Sequence, residues 1–305
     1  MCNACIPMLN DEKPTGEFAR QLLDMLNQGA LSLMVSIGHR TGLFDAMAEL
    51  PPSGVDEIAA HTALEARYVR EWLAAMVSGE IVRYRADDGR YQLPDSHAAL
   101  LTRAASPDNM AVFAQYIAVL GQVEDRIVDC FRAGGGVGYE HFPRFHEVMA
   151  EDSGQTVLAG LDEHILPLVP ELIGRLEKGI RVLDVGCGRG RALLHLAERF
   201  PDSVFTGYEL SDSALAQARD DATSRRLPNV TFERRDLSGF GDLAEPDRFD
   251  FITAFDAIHD QATPQSVLDG IHRTLKPGGI FLMQDIRASS DLAQNLDHPI
   301  APLLY

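Results

Sequence analysis

Ten consecutive residues, Val182-Leu183-Asp184-Val185-Gly186-Cys187-Gly188-Arg189-Gly190-Arg191, constrain this chain more than any other stretch. The apolar run from Ile180 to Val185 reads as a buried strand, and the glycines that follow read as its end. Ala192, Leu193, Leu194, Leu196 and Ala197 then recur at helical spacing. Strand, glycine turn and helix form the opening βα unit of a nucleotide-binding α/β fold. Glycines at such a turn let the backbone approach a ligand closely, and the helix N-terminus offers unpaired N–H groups.

The glycines at 186, 188 and 190 have the spacing GxGxG; a dinucleotide fingerprint GxGxxG would need a small residue where this chain has Arg191. The next strand, Phe205 to Tyr208, ends at Glu209, nineteen residues beyond Gly190. A carboxylate there can accept hydrogen bonds from both hydroxyls of a ribose. A third strand, Val230 to Glu233, is followed by Asp236-Leu237, and a fourth, Phe249 to Phe255, by Asp256-Ala257-Ile258-His259-Asp260. Leu275-Lys276-Pro277-Gly278-Gly279 then leads into a fifth, Ile280 to Gln284.

DVGCGRG at 184–190, the acid at Glu209, RDL at 235–237, FDFITAFDAIHD at 249–260 and LKPGG at 275–279 together resemble the ordered motifs of class I S-adenosylmethionine-dependent methyltransferases. The resemblance covers about residues 178–285. It implies an α/β fold with a Rossmann-like doubly wound sheet and S-adenosyl-L-methionine as cofactor. It also assigns residues. Asp184 orients the methionine amino group, Gly186 and Gly188 give the donor room, and Glu209, next to Leu210, holds the ribose. Asp236 with Leu237 meets the adenine, and Phe255 and Asp256 end the fourth strand beside the donor. No metal is implied.

Transfer of a methyl from a sulfonium asks the protein mainly for proximity, alignment and a dry pocket. An oxygen or nitrogen acceptor can also need a general base. His259 is the candidate, since it follows the fourth strand and an unperturbed imidazole titrates near neutrality; the alternative is that it only packs or bonds locally. His141 and His146 are weaker candidates, placed by composition alone. The leading expectation is an enzyme acting on a small-molecule methyl acceptor at O or N. The alternatives are a non-catalytic regulator that binds S-adenosylmethionine or a metabolite, and a nicotinamide-dependent reductase. Arg191 and the lack of a Tyr/Lys general-acid pair count against the reductase.

Upstream, apolar Phe18, Leu22, Met25, Leu26, Leu33, Met34 and Ile37 predict a long amphipathic helix over 17–39, ended at Gly42. Shorter helices follow over 43–50, after Ser53, and over 64–78, then a hairpin at 81–93 with Asp88-Gly89 in its turn. Three helices and a hairpin outline a winged helix, and the segment resembles the N-terminal half of small-molecule O-methyltransferases. There it serves dimerisation and closes the substrate pocket, so a homodimer through this half is implied. Residues 55–95 hold five arginines, no lysine and eight acids, and the chain carries a net charge of −18, which opposes a nucleic-acid or anionic-membrane partner.

Residues 1–15 are expected to be loose, and Cys2 and Cys5, a CxxC without a second pair, are not expected to bind zinc. With no apolar run of membrane length and no signal peptide, a cytoplasmic location is expected. The expected division is a winged-helix domain at 1–104, a helical linker or lid at 105–178 and the Rossmann-like domain at 179–305. In the middle segment, 110–131 reads as one helix and 156–166 as another. In the family this stretch forms a lid over the methyl donor, so the resemblance implies Gly134-Gly135-Gly136 as a hinge and the aromatics of 139–146 as pocket walls; the alternative is that they only pack. The family's sheet has seven strands in the order 3-2-1-4-5-7-6. Only about twenty residues follow the fifth strand here, ending on apolar Ile300 to Tyr305, so the expectation is a C-terminally truncated form of a longer protein.

Overall fold

A computed structural model describes residues 12–305; the Cys2/Cys5 pair lies outside the described residues, as does most of the segment expected to be loose. The first helix, α1 (Thr15–Thr41), stops where Gly42 turns left-handed at φ 73° and donates its N–H to the carbonyls of Gly38 and His39. Helices α2 (Leu43–Glu49), α3 (Val55–Thr62) and α4 (Ala66–Ser78) pack beside it. From α4, Val69, Trp72, Leu73 and Met76 are buried together with Leu43, Phe44, Met47 and Ile58. Trp72 meets Phe44 edge-on at 5.2 Å and donates Nε1–H to the Met34 carbonyl at 2.9 Å, which satisfies its polar edge inside the core.

The hairpin consists of β1 (Arg83–Arg85) and β2 (Arg90–Gln92). Arg85 pairs with Arg90, so the connection is the four residues 86–89 rather than a two-residue Asp-Gly turn, with Gly89 at φ 68° closing it. Ser53 does not cap α3. Its backbone bridges to Tyr91 of the wing, while Gly54 occupies the cap position and donates its N–H to Glu57 Oε2 at 2.7 Å.

The middle segment is helical but more broken than its periodicity predicts. After α5 (Asp95–Leu101), the stretch expected as one helix is two, α6 (Ala114–Gly121) and α7 (Glu124–Ala133). Gly121 ends the first, and Glu124 with Asp125 favours a new helix N-terminus. Helix α8 (Phe145–Thr156) starts inside the aromatic stretch and ends where the second helix was expected to begin. Residues 158–168 form consecutive 3-10 and π turns instead. Pro167 sits at the start of the last of these turns and does not terminate an α-helix. Burial of Leu161 and Leu166 against the sheet's core accounts for the irregular path, and His164 stays exposed.

Helix α9 (Leu172–Lys178) leads into the sheet of β3 (Arg181–Val185), β4 (Val204–Glu209), β5 (Val230–Arg234), β6 (Phe249–Phe255) and β7 (Leu275–Gln284). The spatial order is β5-β4-β3-β6-β7, all parallel. This is the expected 3-2-1-4-5 arrangement with β3 first, an α/β fold with the chain reversing direction beside β3. Helices α10 (Arg191–Arg199) and α11 (Asp212–Ser224) cover one face through Leu193, Leu194 and Leu215. Helices α12 (Phe240–Leu243) and α13 (Pro264–Thr274) cover the other through Phe240, Val267 and Ile271. Val182 faces the first layer and Leu183 the second, both fully buried. Each such side chain contributes roughly 1.5–3 kcal/mol relative to an exposed position.

Lys276–Gly279 bulge out of β7, because Phe249 pairs with Leu275 but Phe251 with Ile280. The pattern of β7, apolar on both faces, predicts a central strand; among the described residues it lies at the sheet's edge, with Met283 49% exposed. Beyond β7 come a single 3-10 turn, Leu292–Gln294, and a last helical turn, α14 (Ala301–Leu304). The N-terminal half is tied to the helical middle segment through His39, whose Nε2 lies 2.8 Å from Glu151 Oε2 on α8. Within that half, Arg103 donates to the His39 carbonyl and, through its backbone, to Asp45.

Candidate functional site

The carboxyl ends of β3, β4 and β6 bring Asp184, Glu209 and Asp256 to one edge of the sheet, the edge at which ligands of open α/β sheets bind. Asp184 is buried and accepts a hydrogen bond from Thr253 Oγ1 of β6 at 2.7 Å. Burial pushes its carboxyl up to about 7; the Thr253 bond opposes that rise and the nearby charge of Glu209 adds to it.

Beyond β3 the chain turns through Gly186, Gly188 and Gly190, all at positive φ. The N–H groups of Gly186 and Cys187 both reach the Tyr208 carbonyl, at 2.9 and 3.0 Å, which folds the turn back onto β4. A Cβ on Gly190 would lie 2.4 Å from the Phe232 ring, so a side chain is excluded there by packing as well as by backbone conformation. A Cβ on Gly188 would meet nothing within 4 Å. This turn therefore packs tightly on its protein side and is open at Gly188.

Glu209 is 9% exposed and accepts from three backbone donors. Oε2 accepts from Gly188 N–H at 3.0 Å, and Oε1 accepts from Leu210 and Ser211 at 2.8 and 2.9 Å. The carboxylate thus pins the glycine turn, a role its position alone does not reveal. Leu210 itself is 43% exposed beside it. Asp236 is exposed and accepts the Ser238 N–H, which holds its carboxyl below the ordinary range, whereas the Leu237 side chain is buried with Tyr208 and Phe240 in the second core layer. Phe255 packs against the first layer, and Asp256 follows it with φ 49°, a left-handed conformation uncommon for a non-glycine residue. Burial, with the carboxylates of Asp152 and Asp285 nearby, raises the Asp256 carboxyl above its ordinary range.

His259 is held from two sides. Its Nδ1 lies 2.5 Å from Asp285 Oδ1, its backbone N–H reaches Oδ2 of the same carboxylate at 3.3 Å, and Nε2 lies 3.2 Å from Asp260 Oδ1. Asp285 is the first residue after β7. The reasoning that selected Glu209, an acid directly after a strand, could have found it.

The helical segment crosses this edge. Tyr139 donates to Asp260 Oδ2 at 3.2 Å, and Tyr116 donates to Asp152 Oδ2 at 2.7 Å; burial first, then the adjacent carboxylates, raises both phenols. His146 lies in the same layer, 5.8 Å from Tyr139 between ring centroids, and His141 pairs with Glu140 at 3.5 Å. Arg191, at the start of α10, donates through Nη1 to the Ala150 carbonyl of α8, fastening the segment to the glycine turn. Nothing in the sequence spacing indicates these long-range partners.

A parallel sheet ordered 3-2-1-4-5, a glycine turn after its first strand and an acid ending its second define the class I methyltransferase fold. Residues 176–299 match the model of a methyltransferase domain, and residues 29–103 match that of an Rv2258c-like winged HTH domain. The chain thus joins a winged helix-turn-helix domain to a methyltransferase domain. Trans-aconitate 2-methyltransferase of Acidovorax sp. is 32% identical over 144 residues, 47% of this chain and 50% of that protein. A fatty-acid O-methyltransferase of Mycolicibacterium smegmatis is 30% identical over 38% of this chain and 41% of its own length. The chain spans about half the length of the curated relatives it matches. An O-methyltransferase family protein from Burkholderia thailandensis superposes with a TM-score of 0.65 at 17% identity, covering 95% of this chain and 84% of that one. Human N-acetylserotonin methyltransferase in complex with SAM gives 0.61 at 19%, covering 90% and 81%. At these identities the likeness is one of fold, and it extends through the winged domain.

Proposed function

We propose that this protein is an S-adenosylmethionine-dependent methyltransferase that acts on a small molecule at oxygen or nitrogen. The observation that carries the reading is the convergence of Asp184, the open Gly188 and Glu209 at one sheet edge, with the carboxylate-held His259 across it. The residues present suit an adenosyl cofactor. Glu209 Oε2 accepts one protein donor and keeps acceptor capacity for a ribose hydroxyl, and Asp184 offers a carboxylate to an ammonium. Gly188 admits close approach, whereas the side of Gly186 is filled by Ala257; Leu210 and Asp236 with Leu237 flank the adenosine side, and Phe255 with Asp256 lies toward the reacting end.

When bound, S-adenosylmethionine supplies an electrophilic methyl on a sulfonium with a neutral thioether as leaving group. The chain's own residues do the rest. Asp184 and Glu209 orient, the segment of α6–α8 excludes water, and His259 Nε2, turned from Asp260, takes the proton from the acceptor's O–H or N–H while Asp285 holds Nδ1–H. That pairing favours turnover over a purely regulatory binder, since an imidazole steered by a carboxylate is the arrangement a general base needs. The similarity to a fatty-acid O-methyltransferase supports an oxygen acceptor.

The reading includes a homodimer formed through the N-terminal half, supported by Phe18, Leu22, Leu23, Met25 and Leu26, all exposed on α1. It excludes a nucleic-acid partner, on the net charge of −18. No helix among the described residues is long and apolar enough to cross a membrane. A cytoplasmic location rests on the sequence expectation alone. Calorimetry with S-adenosylmethionine and NAD, followed by turnover assays on phenolic, carboxylic and amine acceptors, tests the proposal. Tight binding of NAD alone would overturn it.

A further inference from the structure

We infer that His146, on the first turn of α8, is a ligand for the ribose of the adenosyl cofactor, completing from the lid side the grip that Glu209 provides from the sheet. The inference rests on the methyltransferase reading above.

Among the described residues, four buried side-chain polar atoms have no hydrogen-bond partner, and two of them, His146 Nε2 and Arg189 Nε, flank one seam. The seam runs between α8 and the glycine turn. The Glu209 carboxylate and the Arg189 guanidinium are the charged neighbours of the imidazole there. Buried polar atoms are nearly always paired, so two orphans at one seam call for a partner of their own.

The His146 imidazole is held in place by its surroundings. The His146 ring is wedged between Tyr139, at 5.8 Å, and Phe145, edge-on at 5.4 Å. Helix α8 is fastened at Ala150 by Arg191, whose guanidinium occupies the space that a Cβ on Gly154 would need. Tyr139 is in turn bonded to Asp260 beyond β6.

The chemistry of the seam specifies its ligand. Glu209 can only accept, and Arg189 Nε–H can only donate. Burial lowers the pKa of His146, so the ring is neutral at neutral pH and Nε2 either donates or accepts, according to tautomer. A hydroxyl does both. Two adjacent hydroxyls can give one hydrogen to Glu209 and still pair with the imidazole, and a ribose diol has that form.

Calorimetry with S-adenosylhomocysteine and its 2′-deoxy and 3′-deoxy analogues tests this. His146→Phe keeps the ring stacking and removes the nitrogen. It is expected to weaken S-adenosylhomocysteine binding about tenfold, the scale of one hydrogen bond to a buried polar group. Its thermal unfolding without ligand should be unchanged or raised, because an unpaired buried atom has gone. The native chain should disfavour at least one deoxy analogue, and His146→Phe should lose that discrimination, with partial recovery in His146→Asn. Native-like affinity in His146→Phe overturns the inference, as does a native chain that binds both deoxy analogues as tightly as the parent. A native chain that does not bind S-adenosylhomocysteine overturns the methyltransferase reading instead.

Discussion

The Gly188 backbone nitrogen lies 3.0 Å from Glu209 Oε2, so the acid that ends β4 also braces the turn that follows β3. If Glu209 holds the cofactor's ribose as proposed, binding and loop order are coupled through one carboxylate. Glu209→Ala should weaken S-adenosylhomocysteine binding by about 1.5–3 kcal/mol, the scale of losing charged hydrogen bonds. Glu209→Gln keeps an acceptor oxygen and should lose less. Unchanged affinity in the alanine variant, measured by calorimetry, would remove the ribose assignment.

Asp184 makes stability depend on pH. Its carboxyl stands at about 7 in the folded chain against 3.8 as the reference value, so the folded state binds the extra proton between these values. Unfolding free energy then falls as pH rises from about 4 to about 7, and levels off above. Asp184→Asn abolishes this contribution. In thermal melts without ligand the variant should be more stable than the native chain at pH 8, with the gap closing toward pH 4. A gap that is constant with pH contradicts the assignment.

His259 and Asp285 should act as a unit. If Nδ1–H is steered by Asp285, His259→Ala and Asp285→Ala each lower kcat by roughly 10²–10⁴, the usual worth of a general base. The double variant should be little worse than either single one. Cofactor affinity should stay within a few-fold of native. Additive losses in kcat would mean that the two residues serve separate roles.

Leu26 is 71% exposed in the middle of the apolar stripe on α1. Leu26→Asp should convert a dimer to a monomer in sedimentation velocity without lowering the melting temperature of the individual fold. A native chain that sediments as a monomer at micromolar concentration rules out the proposed association. Salt-sensitive duplex binding in a gel shift would likewise overturn the proposal that nucleic acid is not a partner.

Much of the fold was legible in the residues because it rests on local patterning. The strands β3 to β6 were bounded closely by their apolar runs: β3, β4 and β6 are buried on both faces, and β5, at the sheet's edge, alternates buried Val230 and Phe232 with exposed Thr231 and Arg234. The four helices and the wing of the N-terminal half follow from periodicity and from Gly42, Pro51 and Gly89. Periodicity failed between 105 and 178. There, Gly121 and Glu124 split one expected helix, and burial of Leu161 and Leu166 replaced another with tight turns.

The sequence determined the strands and the acids at their carboxyl ends, because strand-end position is a local property, and the sheet's order came from the resemblance to the methyltransferase family. Only the tertiary structure decided what those acids hold. Glu209 reaches Gly188 across 21 residues, His259 meets Asp285 across 26, and Arg191 fastens α8 across 41. Such pairings depend on how the layers stack, and hydrophobic spacing along one element carries no record of what packs against it.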